Sequence, residues 1–291
     1  MKKSDSNFTI DDFRMGKNQN IQVNPKRYAK FGEFKPIDLL AVAAAREVHD
    51  GDVVFAGTGL PMLAIALAQL TTAPTATCIY EAGSVDGRPI DLPTSVGDAR
   101  CSYQASIASG LMDVFGQLQR GVVDLAFLGG AEIDKYGNVN TTAMGKYGTV
   151  PEKRLTGSGG NSDINALSKR TVFIMVQEKR RFKENVDYIT SPGWWVPKWP
   201  SGKRVSKKEV YGRGFRGGPS AVISDMGVFY FDENGEMYLD TVHPGFTKEQ
   251  VRENCSFDLN ISRVRGETAP PTYEELELLY QRVDPEGIFL P

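Results

Sequence analysis

The sequence DVVFAGTGLPMLAIALAQLTTAPTATCIYE, residues 52–81, contains the patterns of a strand, a helix and a second strand in direct succession. The short, mostly apolar run 52–57 ends in glycine, which predicts a buried strand. Pro61 favours the first turn of a helix, and the alanine- and leucine-rich run after it extends that helix to Leu70. Residues 75–80 predict the second strand. A strand, a helix and a strand in this order are typical of the parallel sheet of an α/β fold.

The rest of the chain repeats this alternation of helices and apolar strands. Further helices are predicted over 37–48 and 112–120, and further buried strands over 122–130 and 171–177. Continuous apolar strands separated by helices indicate a sheet that is covered on both sides. The predicted fold class is therefore α/β, with a mostly parallel sheet and helices on both faces.

The sequence pattern changes near Ser220. Residues 227–242, GVFYFDENGEMYLDTV, predict an antiparallel hairpin that turns at Glu233-Asn234-Gly235, and Pro244 precedes a short helix. We therefore add a C-terminal antiparallel β hairpin lobe to the predicted fold. The division that we predict is an N-terminal arm over 1–35, one domain over 36–265 that includes a basic, tryptophan-rich loop over 194–218, and a C-terminal tail with a short helix over 266–291.

Composition argues against several classes of protein. Of the 291 residues, 41% are hydrophobic and 24% charged, and the formal charge of −2 favours neither nucleic acid nor a membrane as partner. No apolar run approaches the ~20 residues of a membrane helix, and the N-terminus lacks the apolar core of a secretory signal. The scattered Cys78, Cys101 and Cys255 fit a reducing cytoplasm better than a disulfide framework. With only His49 and His243, a histidine-rich metal site or proton relay is hard to build, so we expect no metal.

Glu81 directly follows the second predicted strand, and the small residues Ala82-Gly83 after it let a substrate approach the backbone. Open α/β sheets bind their ligands outside the carboxyl ends of the strands. A carboxylate is a weak covalent nucleophile that requires an activated acyl partner, and a thioester is such a partner. From its position alone, a surface glutamate in a turn is the simpler interpretation of Glu81.

Two glycine-rich loops are candidate anion sites. In residues 156–163, TGSGGNSD, Gly157, Gly159 and Gly160 can aim backbone N–H groups at a developing oxyanion or a phosphate. This loop has neither the GK[ST] of a P-loop nor the GxGxxG spacing, and a plain turn is the commoner outcome for such a sequence. The loop Gly57-Thr58-Gly59 can receive an anion at a helix N-terminus, but a tight strand-to-helix connection explains it equally well and is the interpretation we prefer.

Five blocks of sequence follow one another between residues 36 and 262. They read VVFAGTGLP, YEAGSVDGRPIDLPTSVGD, FLGGAEIDKYGNVNTTAMG, LTGSGGNSDIN and VQEKRRFKENVDYITSPGW. In this order they resemble the β subunit of glutaconate-type coenzyme A transferases, which belong to family I of the coenzyme A (CoA) transferases. The resemblance continues through VISDMGVFYFD and ENCSFDLNIS, and five ordered blocks are more specific than any single motif.

The resemblance implies roles for Glu81 and for the second glycine loop. The family's catalytic glutamate lies in an E-x-G motif, which Glu81-Ala82-Gly83 matches. Its G-x-G-G-x-x-D loop, which supplies a backbone amide to the thioester oxygen, is matched by residues 157–163. The implied route is a ping-pong transfer in which Glu81 forms a mixed anhydride and then a glutamyl-CoA thioester. No cofactor is implied, because the CoA thioester is itself the substrate.

The resemblance also implies a partner, because the family's α-type chain provides a glycine-rich segment that has no equivalent here. We therefore expect a hetero-oligomer with an α-type subunit. Residues 194–218 look longer and more basic than the corresponding family stretch, and Trp194, Trp195 and Trp199 lie in them. A docking face for the partner is favoured there over a contact with CoA, and local packing of the tryptophans is the simpler alternative.

Three functions are weighed for this chain: CoA transfer, hydrolysis or decarboxylation of acyl-CoA on the same fold, and acyl-CoA binding without catalysis. Family relatives that decarboxylate or hydrolyse look as though they have lost the E-x-G glutamate, so Glu81 favours transfer. A non-catalytic chain has no reason to keep both Glu81 and the GSGG sequence. Arg88, in the loop after Glu81, is a candidate partner for a substrate carboxylate.

Overall fold

The structure is a computed structural model that describes residues 33–146, 148–198, 200–212 and 216–290, so the predicted N-terminal arm lies outside it except for positions 33–35. The α-helices are α1 (Pro36–Ala45), α2 (Leu60–Leu70), α3 (Leu111–Arg120), α4 (Asn161–Leu167), α5 (Lys207–Tyr211), α6 (Lys248–Glu253) and α7 (Tyr273–Leu278). The strands are β1 (Val53–Ala56), β2 (Thr77–Tyr80), β3 (Ser84–Val85), β4 (Ile107–Ala108), β5 (Leu125–Gly129), β6 (Glu132–Ile133), β7 (Val139–Asn140), β8 (Ala143–Met144), β9 (Lys153–Arg154), β10 (Arg170–Met175), β11 (Trp195–Pro197), β12 (Arg204–Ser206), β13 (Pro219–Ser224), β14 (Gly227–Phe231), β15 (Met237–Val242) and β16 (Gly266–Glu267). Within the described residues, no helix is both long enough and apolar enough to cross a membrane.

Ten strands of the described chain form one sheet in the order β16-β15-β14-β13-β10-β5-β1-β2-β3-β4. The five central strands, from β13 to β2, are parallel, so their carboxyl ends lie at one edge of the sheet. The predicted hairpin is present as β14 and β15, with its turn at residues 232–236. Because β14 also pairs with β13, the hairpin extends the parallel sheet directly. The predicted α/β fold is confirmed, with the antiparallel strands added at its two sides.

Alternate side chains of the central strands face two different cores, as the two-residue period of a strand requires. Val54 and Ala56 of β1 pack with α1, α2 and the C-terminal helix. Phe55 points to the opposite face and packs with α3 and α4. The helices that were predicted on both faces are therefore present on both faces.

The C-terminal segment packs into the first of these cores. Leu276, Leu279 and Leu290 are buried against α1 and α2. The hydroxyl of Tyr280, in the π-helical turn Leu279–Val283, donates a 2.8 Å hydrogen bond to the buried carboxylate of Asp38. The pKa of that carboxyl group is raised, chiefly because burial disfavours its charged form. Residues 273–290 thus share a core with the first two helices.

Residues 194–218 contain the hairpin β11–β12 and helix α5. The indole N–H of Trp194 donates to the carbonyl of Pro219 at 2.9 Å, and that of Trp195 donates to the carbonyl of Asn234 at 2.6 Å. Lys207 is buried with its ammonium 4.9 Å from the ring centre of Trp194, and burial lowers the pKa of this lysine to about 7. Trp194 and Trp195 therefore pack within the chain; Trp199 lies outside the described residues, and a docking role for this segment stays a prediction.

We predict that replacing Asp284 by alanine destabilises the whole domain. Its carboxylate accepts hydrogen bonds from the backbone N–H groups of Ile288, Phe289 and Leu290 at 2.7, 2.9 and 2.7 Å. Hydrogen bonds to a charged group contribute about 1.5–3 kcal/mol each. Loss of all three should therefore lower the free energy of unfolding by ~4 kcal/mol or more in urea titrations. The exposed Glu286 is the control, and Glu286→Ala should change it by less than ~0.5 kcal/mol. A change that small in Asp284→Ala would show that this segment is not part of the cooperative core.

Candidate active site

Glu81 is the first residue after β2, at the edge where the parallel strands end. Strands β1 and β2 pair in register, with Ala56 opposite Tyr80, so Gly57 and Glu81 leave the sheet side by side. Strand β5, on the other side of β1, ends nearby at Gly129. The two loops singled out from the sequence at positions 57 and 81 thus meet at one place.

The glycine-rich loop reaches the same place through Gly160. A β-carbon built on Gly160 would lie 2.8 Å from Oε1 of Glu81 and 2.5 Å from Cζ of Phe115, closer than β-carbons approach other atoms. The φ of Gly160 is −81°, which any residue can adopt, so space and not backbone conformation requires glycine here. The Glu81 carboxylate therefore lies directly against the backbone of residue 160.

The carboxylate of Glu81 is half-buried and carries no hydrogen bond or ion pair to any residue that the structure describes. Other acidic residues near this edge are engaged: Glu132 is ion-paired with Lys183 at 3.0 Å, and Asp187 also pairs with that lysine. An unpaired carboxylate oxygen keeps its lone pairs available to attack an electrophile.

Some backbone amides of the glycine-rich loop donate hydrogen bonds within the chain, and others do not. The N–H of Gly157 donates to the carbonyl of Thr141 at 2.9 Å, so it is committed to the fold. The N–H groups of Gly159 and Gly160 have no acceptor among the described residues. Gly159 has a φ of +48°, in the left-handed region. Of the three glycines predicted to supply amides, only Gly159 and Gly160 have a donor to offer.

Three residues that sequence reasoning missed hold this loop in position. The side-chain amide of Asn161 donates to the carbonyl of Gly129 at 3.3 Å, and its oxygen accepts from the hydroxyl of Ser191. The ring of Phe115 meets that of Phe55 edge-on, with 5.8 Å between ring centres, and lies against Gly160. Asn161 belongs to the GSGGNSD sequence, but no local pattern identifies its partners.

The remaining predicted site residues differ in their exposure and in their contacts. Thr58 is exposed, and Gly59, with a φ of +83°, precedes α2. The carbonyl of Gly83 accepts from the amide and the hydroxyl of Ser109, and a β-carbon at position 83 would lie 2.7 Å from Cα of Gly110. Arg88 is ion-paired with Asp86 at 2.8 Å. Close packing therefore accounts for Gly83, and a substrate contact of Arg88 stays a prediction.

Near this edge, the carboxylate of Glu81 and the amides of Gly159 and Gly160 have no hydrogen-bond partner among the described residues. Among the described residues, no group of three or more His, Cys, Asp or Glu side chains is arranged to hold a metal ion. A carboxylate next to a loop with unused backbone N–H groups provides the kinds of group that acyl transfer requires.

Comparison with known proteins agrees with this chemistry. The family model described as coenzyme A transferase matches residues 37–254. The chain is 36% identical over 269 residues to the B-type chain of glutaconate CoA-transferase of Acidaminococcus fermentans, covering 90% of this chain and 97% of the relative. It is also 36% identical over 244 residues to the B-type chain of 3-oxoadipate CoA-transferase of Pseudomonas knackmussii, covering 83% of this chain and 90% of the relative.

Solved structures give the same result. The crystal structure of glutaconate coenzyme A-transferase from Acidaminococcus fermentans superposes with a TM-score of 0.80 at 34% identity, covering 90% of this chain and 99% of that one. The decarboxylase AibA/AibB superposes with a TM-score of 0.73 at 27% identity, covering 88% and 97% of the two chains. Since both the family model and two relatives above 30% identity cover most of its length, the chain belongs to the coenzyme A transferase family.

Proposed function

We propose that this chain is the β subunit of a two-subunit CoA transferase that moves CoA from an acyl-CoA to a carboxylic acid. The two curated relatives are each named as the B-type chain of such an enzyme, and this chain spans 97% and 90% of their lengths. Both are named for dicarboxylic acids, and we extend that class of substrate to this chain. We place the enzyme in the cytoplasm, where the free, buried thiols of Cys78, Cys101 and Cys255 stay reduced.

The contact between Glu81 and Gly160 carries the proposal, because it sets an unpaired carboxylate beside free amides. A carboxylate oxygen of Glu81 attacks the thioester carbon, the carbon–sulfur bond breaks, and the CoA thiolate leaves a mixed anhydride behind. The thiolate then attacks the glutamyl carbon and releases the first acid, which leaves CoA bound to Glu81 as a thioester. The acceptor carboxylate attacks that thioester, and the thiolate in turn attacks the new acyl carbon and frees Glu81.

The amides of Gly159 and Gly160 are the proposed donors to the oxyanion that forms in each of these steps. Preorganised donors stabilise charge as it develops and need no rearrangement during the reaction. Gly157 is excluded from this role, because its N–H already donates a hydrogen bond to the carbonyl of Thr141. The contacts of Asn161 and Phe115 hold the loop that carries these amides.

Decarboxylation on the same fold is the alternative, since AibA/AibB is a decarboxylase with 27% identity to this chain. Glu81 favours transfer, because a carboxylate that can form an anhydride is needed for exchange of CoA between acids. Product analysis separates the two reactions: transfer yields a free acid and a new acyl-CoA without CO₂, whereas decarboxylation releases CO₂ from the acyl chain and leaves CoA on the shortened acid.

An exposed apolar patch beside Glu81 supports the α-type partner. It comprises Ile107, Leu111 and Met112, which are 52%, 50% and 81% exposed. The bonds from Ser109 to Gly83 hold this patch next to the turn that carries Glu81. Clustered exposed apolar side chains mark interaction surfaces, so a partner here would also cover the carboxylate.

The isolated chain should lack transferase activity, and co-expression with the α-type chain should give a complex with equal numbers of both. Met112→Glu should weaken this complex at least about tenfold in a pull-down titration, because it puts a charge into an apolar contact. Val122, which is 40% exposed and lies two residues after the C-terminal end of α3, provides the control, and Val122→Glu should bind normally. Full activity of the chain alone would contradict the proposal.

Gly160→Ala should lower kcat about 10²–10³-fold, as loss of one oxyanion donor does. The added carbon would lie 2.8 Å from Glu81 Oε1, so the carboxylate or the loop must move. Circular dichroism and partner binding should stay unchanged. The matched control is Gly116→Ala in α3, where a β-carbon meets no atom within 4 Å; it should keep full activity and gain up to ~1 kcal/mol of stability. Equal activity of the two variants would remove the loop from the mechanism.

The sharpest prediction is that Glu81 becomes covalently bound to CoA. Borohydride should reduce the glutamyl thioester to an alcohol, and hydroxylamine should cleave it, in both cases only after incubation of the assembled enzyme with acyl-CoA. Peptide mass analysis should find the change on the segment around Glu81. Glu81→Ala should abolish transfer, and Glu81→Asp should lose about 10²-fold or more, because the shorter side chain misplaces the attacking oxygen.

Glu178 serves as the matched carboxylate, because it follows β10 at the same edge of the sheet but is ion-paired with Arg180 and Arg181. Glu178→Ala should transfer CoA normally and leave the label on Glu81. Glu81→Gln can regain activity slowly if its amide hydrolyses, so its activity is followed over time. A label on any other carboxylate, or transfer by Glu81→Ala, would refute the covalent role of Glu81.

A further inference from the structure

Strands β8 and β9 form a hairpin that exposes three cations, Lys146, Lys153 and Arg154. None of the three has a carboxylate within ion-pair distance in the described part of the chain. Other basic residues nearby are neutralised, as Lys183 is by Glu132 and Asp187. The exposed Glu152 of the same hairpin offsets one of these charges, and the net positive charge that remains attracts anions.

This hairpin is joined to the glycine-rich loop by a continuous ladder of backbone hydrogen bonds. Arg154 of β9 pairs with Ala143 of β8. Beyond this pair, the amide of Leu155 donates to the carbonyl of Thr142 at 3.0 Å, and the amide of Gly157 donates to the carbonyl of Thr141. Arg154 precedes Gly157 by three residues, which is about 10 Å of extended chain. The main chain that carries the cations is therefore fixed relative to the loop that reaches Glu81.

The hairpin is also anchored at its other arm. The amide of Gly145 donates to the carboxylate of Asp187 at 2.9 Å, and the amide of Glu152 donates to the carbonyl of Met144 at 3.0 Å. The main chain that carries the cations is thus fixed at both arms. Rigid placement suits a binding site, because less ordering is needed when the ligand arrives.

A ligand that reacts at Glu81 and reaches this hairpin needs an electrophilic end and a distant, strongly anionic end. A CoA thioester has both, since its acyl group is separated by the pantetheine arm from a diphosphate and a 3′-phosphate. We propose that Lys146, Lys153 and Arg154 bind these phosphates; the inference rests on the proposed function of the chain. Arginine binds phosphate oxygens in a bidentate manner and lysine adds a point charge. Energy from this remote contact can then be used at the reacting carbonyl.

The test compares two thioesters of the same acid, an acyl-CoA and the acyl-pantetheine that lacks the phosphates. In the enzyme assembled with its partner, the double variant Lys153→Gln/Arg154→Gln should lower kcat/KM for acyl-CoA at least about tenfold. The value for acyl-pantetheine should stay within about twofold of wild type, because that substrate makes no phosphate contact. Lys146→Gln should show the same selective loss to a smaller extent.

The matched control removes the same charge elsewhere. Lys248 and Arg252 are exposed on α6, which packs on β15, and six strand spacings separate β15 from β2, about 29 Å. Lys248→Gln/Arg252→Gln should leave both substrates unaffected. Equal losses for acyl-CoA and acyl-pantetheine in the hairpin variant, or no loss for either, would overturn the assignment.

Calorimetric binding of free CoA separates this inference from the proposed function. If the wild-type complex transfers nothing, the proposed function fails, and the phosphate site is judged by binding alone. The hairpin variant should then bind CoA at least about tenfold more weakly than wild type and than the Lys248/Arg252 variant. Unchanged affinity would refute the phosphate site whatever the enzyme catalyses.

Discussion

The approach of the Glu81 carboxylate to the backbone of Gly160 depends on the register of the whole central sheet. Because β1 and β2 are parallel and end level with each other, Glu81 emerges beside the loop that starts at Gly57. Because Asn161 is bonded to the carbonyl of Gly129, the glycine-rich loop stands over the end of β5. A shift of one residue in either strand would turn every side chain of that strand to the other face, and the contact would be lost.

A buried charge network supports the loops around this contact. The carboxylate of Glu132 is fully buried, pairs with Lys183 at 3.0 Å, and accepts hydrogen bonds from the side-chain amide of Asn140 and the backbone amide of Asp187. A buried charge is tolerated only when its hydrogen-bonding capacity is satisfied, and removal of one partner is costly. The carboxylate of Asp187 in turn accepts a hydrogen bond from the amide of Gly145. The network therefore connects the cationic hairpin to the segments that also support the glycine-rich loop.

Local patterns predicted the elements of the fold, and long-range contacts explain what they missed. The strand that ends at Tyr80, the helix that starts near Pro61 and the hairpin turn at Gly235 follow from apolar periodicity and turn residues. Helix α1 was predicted to end at Val48 but ends at Ala45, where Arg46 turns to pair with Glu275, 229 residues away. The bond between Asn161 and Ser191 spans 30 residues, so no local window reveals it. Glu81 could be predicted from the sequence because its position at a strand end and the family resemblance point to the same residue.

The half-exposed state of Glu81 fits a site that is completed by binding. With no partner among the described residues, its carboxylate must obtain hydrogen bonds from solvent while the site is open. A hydrated carboxylate is a poor nucleophile, because attack requires removal of the water that stabilises its charge.

In the proposed enzyme, the α-type chain covers Met112 and excludes that water, while phosphates held at Arg154 place the thioester against the amides of residues 159 and 160. The strength of an electrostatic contact rises as water leaves, so the same amides that bind weakly in the open chain stabilise the oxyanion in the closed complex. In the proposed mechanism, reactivity is thereby confined to the assembled enzyme with its substrate bound, which would protect the proposed glutamyl thioester from hydrolysis.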